Sequence, residues 1–76
     1  MKNTWAMYKT FGGFCVYEIR NAENTRAAVV RNYGREKELT TYYRKEARGE
    51  WSRLRVEIYD TVKEAKDIGA GYVGAI

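Results

Sequence analysis

The chain has 76 residues, with 14 Lys and Arg against 10 Asp and Glu, one cysteine, and neither histidine nor proline. That length fits one domain, residues 1–76. One cysteine and no histidine exclude an internal disulfide and an ordinary zinc site, and remove the commonest general base near neutral pH. Leu, Ile, Val and Phe number only fourteen, but seven tyrosines and two tryptophans supply large apolar area. A small folded domain with a thin core is expected, and such a core gains from a partner or a second copy.

In chain order, Met1 to Ala6 has no long apolar run, so no secretory signal is expected, and nothing approaches the length of a transmembrane helix. A lone Cys15 between Phe14 and Val16 reads as a small buried hydrophobe. The expected setting is cytoplasmic, with no membrane. Trp5–Lys9 and Phe14–Arg20 flank Gly12-Gly13 as a hairpin. Cys15, Tyr17 and Ile19 share one face of the second strand; Phe14, Val16, Glu18 and Arg20 share the other. Thr25–Asn32 reads as a third strand around Val29 and Val30.

Residues 35–48 read in two ways. Glu36 and Glu38 early, Arg44, Lys45 and Arg48 late, and a following Gly49 suit a second helix. Thr40, Thr41, Tyr42 and Tyr43 instead suit a strand, Lys37–Glu46. The helix is slightly favoured. Trp51–Tyr59 alternates strictly, and a core behind it would take Leu54, Val56 and Ile58, leaving Arg53, Arg55 and Glu57 outward. Thr61 and Glu64 form a capping box for a C-terminal helix through Val62, Ala65 and Ile68, with Gly69 as its stop. The fold class expected is α+β: an antiparallel meander of four or five strands packed against that helix.

The stretch from Gly69 to Gly74 fits G-x-G-x-x-G literally, but it follows a helix rather than a strand. No cofactor is expected from it. The expected fate of Tyr72, Val73 and Ile76 is a packed terminal strand or a contact with another subunit. Cys15 has no activating base, and carboxylate pairs such as Glu36 with Glu38 read first as solvated caps, so no enzyme is expected. Charge is more informative. Residues 26–55 hold nine basic and four acidic residues, whereas residues 56–76 hold two basic and four acidic. Arginine forks match phosphates and stack on bases, and Tyr33, Tyr42, Tyr43 and Trp51 interleave with them. The expected contact set is Arg31, Arg35, Tyr42, Tyr43, Arg44, Lys45, Arg48, Trp51, Arg53 and Arg55, with Arg53 and Arg55 foremost. The competing reading is a salt-bridged, solvated surface.

Tyr17-Glu18-Ile19-Arg20, followed later by Tyr59-Asp60-Thr61, Glu64 and Ala65, resembles the plant ethylene-response-factor DNA-binding domain. That resemblance implies a sheet lying on DNA, with Arg20 carried over. Trp5 to Arg20 and Tyr59 to Ala65 are also similar in style to small phage and mobile-element proteins, whose members include anti-CRISPR proteins. This second resemblance implies an inhibitor of a host nucleic-acid-processing protein. The expected partner is therefore nucleic acid or a host nucleoprotein complex. A homodimer through a sheet edge or the C-terminal tail is the lesser expectation.

Overall fold

The computed structural model describes residues 5–10 and 12–74. Among these residues, five strands run in chain order: β1 (Ala6–Lys9), β2 (Cys15–Arg20), β3 (Arg26–Asn32), β4 (Lys37–Tyr43) and β5 (Ser52–Tyr59). They form one antiparallel sheet in the same order, each strand bonded to its sequence neighbours, and helix α1 (Val62–Val73) follows β5. The α+β meander with a C-terminal helix is as expected from the sequence. Residues 35–48 are not a helix: β4 takes Lys37–Tyr43 and a loop follows. The β-branched Thr40 and Thr41 pair with Val29 and Ala28 across β3, a gain that outweighs the helix-like charge order.

The sheet's register defines two faces. On one, the row Tyr17, Val30, Leu39, Glu57 runs across β2 to β5, beside the row Ile19, Ala28, Thr41, Arg55. Helix α1 lies on this face, chiefly over β3 and then β4. Ile19, Ala28, Val30, Leu39, Ala65 and Val73 form the buried core, with Trp5, Tyr17, Tyr59 and Tyr72 packed round it.

Helix α1 starts as its sequence indicates, the Thr61 hydroxyl accepting from the Glu64 amide at 3.1 Å. It does not stop at Gly69. That residue is buried, and a β-carbon there would lie 3.0 Å from both Ala28 and Trp5 and 3.2 Å from Leu39. Gly69 is thus the point where the helix backbone meets the sheet. The left-handed stop comes at Gly74, φ 76°. Tyr72 and Val73 are therefore helical rather than a terminal strand, and Ile76 lies outside the described residues. The helix is too short and polar to cross a membrane.

The Tyr72 hydroxyl donates to the Tyr42 carbonyl at 2.8 Å and so ties the helix end to β4. Burial pushes the phenols of Tyr72 and Tyr59 above the ordinary tyrosine range; Arg26 works against it at Tyr72, and Glu57 adds to it at Tyr59. The fold favours the protonated phenols. Their contribution is complete below pH of about 10 and is lost as pH rises through the raised values. Tyr72→Phe is expected to cost about 1 kcal/mol at neutral pH and to flatten the alkaline loss, as read by denaturant titrations across that range.

Candidate nucleic-acid interface

Among the described residues, no helix lies on the second sheet face. Its rows are Tyr8, Val16, Arg31, Glu38, Ile58 and, next to it, Ala6, Glu18, Val29, Thr40, Val56. Val56 and Ile58 are 47% and 55% exposed, so they do not point into the core as the alternation of the sequence suggested. The reason is position: α1 is centred on β3, and β5 is an edge strand whose helix-side residues are Arg55, Glu57 and Tyr59. Leu54 is an extra residue in the β4–β5 ladder, because Thr41 pairs with Arg55 while Tyr42 pairs with Arg53. This bulge puts Arg53 on the open face and Arg55 on the helix side. The two arginines expected to act together are on opposite faces.

One end of the open face is basic and aromatic. The β2–β3 turn and the β4–β5 loop meet there, bringing Arg20, Arg44 and Trp51 together. The Arg44 guanidinium stands 4.0 Å from the Trp51 ring centroid and that of Arg20 5.4 Å, while Tyr42 meets Trp51 edge-on at 6.5 Å. Glu18, Arg20, Ala27, Val29, Tyr42 and Trp51 line a shallow depression of about 190 Å³. Arg44 also donates to the carbonyls of Asn24, at 2.8 Å, and Gly49, at 3.2 Å. It staples two loops and is committed to structure. Asn24 is left-handed, φ 59°, and its side chain accepts from Arg20 at 3.1 Å. Arg20 is further paired with Glu18.

The other end is aromatic. Phe14 and Tyr33, each 45% exposed, meet edge-to-face at 5.7 Å, and Tyr8 is exposed beside them. Arg31 pairs with Glu38 at 3.1 Å and donates to the buried Thr40 hydroxyl at 3.2 Å.

The ten residues expected from the sequence therefore separate. Tyr42, Arg44, Lys45, Arg48, Trp51 and Arg53 gather at the basic end. Tyr43 is at that end too, but on the helix side. Arg35 sits in the β3–β4 turn at the opposite end, Arg31 is half-buried in its ion pair, and Arg55 stands on the far face near Glu57, at 3.8 Å. Among the described residues, Arg35, Lys45, Arg48 and Arg53 make no ion pair. The open-face aromatics Tyr8, Phe14 and Tyr33 were not in the expected set. For Phe14, the signal was its shared parity with Val16, Glu18 and Arg20. Compared with family models, curated proteins and solved structures, the chain matches none.

Proposed function

We propose that the uncovered sheet face binds single-stranded nucleic acid without catalysing a reaction on it. The observation that carries this reading is a sheet face left bare by helix α1, with exposed aromatic rings at one end and, at the other, cations that make no ion pair among the described residues. Bases stack on such rings in any sequence, and the backbone follows the cations. Arg53 on the sheet, with Lys45 and Arg48 on the adjoining loop, contacts phosphate; Phe14, Tyr33 and Tyr8 offer stacking surface. Arg20 and Arg31, already paired with Glu18 and Glu38, shape the face between them.

The test is fluorescence anisotropy with labelled oligo-dT and oligo-U over a salt series. Binding is expected to weaken as salt rises. The Arg48→Gln, Arg53→Gln double variant is expected to weaken binding and to reduce the slope of log affinity against log salt by about 1.4, at ~0.7 per phosphate contact on a single strand. Tyr33→Ala is expected to cost about 1–3 kcal/mol of binding with the slope unchanged. Failure of the wild-type chain to bind either oligonucleotide at low salt overturns the proposal.

A further inference from the structure

We infer that β5 is the interface of a symmetric dimer, in which two copies join edge to edge into one ten-stranded sheet. β5 is the eight-residue outer strand of the sheet, and no other strand among the described residues pairs with its free edge. A long free edge bearing exposed Leu54, Val56 and Ile58 offers both backbone hydrogen bonds and apolar side chains to another strand.

The order of residues selects the occupant. Two antiparallel copies of one edge strand are related by a two-fold axis normal to the sheet, which keeps like faces on the same side. With the axis through Val56, Arg55 of each copy stands opposite Glu57 of the other. Val56 then meets its own copy, and Ile58 of each copy comes to the bulge at Leu54 of the other. Moving the axis one residue towards the start of the strand puts Arg55 opposite itself. Moving it one residue the other way puts Glu57 opposite itself. Directly opposed like charges destabilise a strand pair, whereas opposed Arg and Glu support it. Of these three registers charge favours the one through Val56, which also brings the exposed Val56 of the two copies together. The regular part of this pairing runs from Arg55 to Glu57 in both copies, because Ile58 falls opposite Leu54 at the bulge.

The interaction is closed. A pairing of β5 with the four-residue β1 of another copy would build rings or filaments of many copies, whereas two β5 strands satisfy each other. The inference does not depend on nucleic-acid binding.

Sedimentation equilibrium of the wild-type chain at increasing concentration tests it. The expected mass approaches twice the 8.9 kDa of one chain and rises no further. Arg55→Glu alone and Glu57→Arg alone are each expected to raise the dissociation constant about tenfold or more, since two cross-strand pairs turn from attraction to repulsion. The double exchange Arg55→Glu, Glu57→Arg is expected to restore the dimer, while circular dichroism confirms that all three variants are folded. A monomer at every concentration, a mass that keeps climbing, or a dimer indifferent to the single exchanges each overturns the inference. Oligonucleotide binding is measured separately on the same samples, so either conclusion can fail without the other.

Discussion

Leu39→Ala lowers the unfolding temperature by about 10–30 °C, the largest effect expected of a single truncation in this chain. Leu39 is 1% exposed and lies at the centre of the helix-side row, between Val30 on β3 and Glu57 on β5. Its terminal carbon also lies under Gly69. Truncation removes apolar contact and leaves a cavity that the sheet backbone cannot close, at about 2–5 kcal/mol. A chain of this length is stable by only about 4–11 kcal/mol. The measurement is thermal unfolding followed by circular dichroism. A fall of only a few degrees would show that the centre of the core lies elsewhere.

Trp51→Ala carries the second large effect. Trp51 lies against the Arg44 guanidinium, with Arg20 over its ring and Tyr42 at its edge. Each cation contributes about 0.5–1 kcal/mol and the aromatic pair about 0.5–1.5 kcal/mol, so a loss of about 2–3 kcal/mol is expected. Amides of residues 44–51 are then expected to exchange faster with solvent, while those of β3 keep their relative protection. Arg44→Ala should loosen the same loop, because it removes the bonds to Asn24 and Gly49. It should leave the salt dependence of oligonucleotide binding unchanged, unlike the Arg48 and Arg53 exchanges. A stable Trp51→Ala chain with unaltered exchange would mean that the loop is held by something other than this stack.

The residues differ in how openly they state their positions. Cys15, Tyr17 and Ile19 alternate on β2, and the structure keeps that face towards the helix. The start of α1 is equally plain, because Thr61 and Glu64 interact locally. Residues 35–48 mislead because their charge order is a local signal, whereas β4 is fixed by β3, ten or more residues away along the chain from most of its partners. β5 misleads for another reason. Alternation reveals that a strand has two different faces, but not which one a helix will cover. That depends on where α1 crosses the sheet, and Gly69 sets the close approach near Ala28 and Leu39 rather than near Val56.

The candidate site shows the same division. That Arg and aromatic residues would share a surface was legible from their interleaving between Tyr33 and Arg55. Which arginines remain available was not, because Arg44 is consumed by two carbonyls and a ring, and Arg55 is turned away by one extra residue in the β5 ladder.

The sequential order of the strands also bears on how the molecule assembles. Each hairpin closes between neighbours in the chain, which favours rapid formation of the meander. Yet Val30 and Leu39 are sealed by residues of α1, which follows all five described strands in the chain. During synthesis the five strands leave the ribosome with both faces of the sheet still wet. The meander therefore has a vulnerable interval, exposed to mispairing, that ends only when the helix emerges and docks.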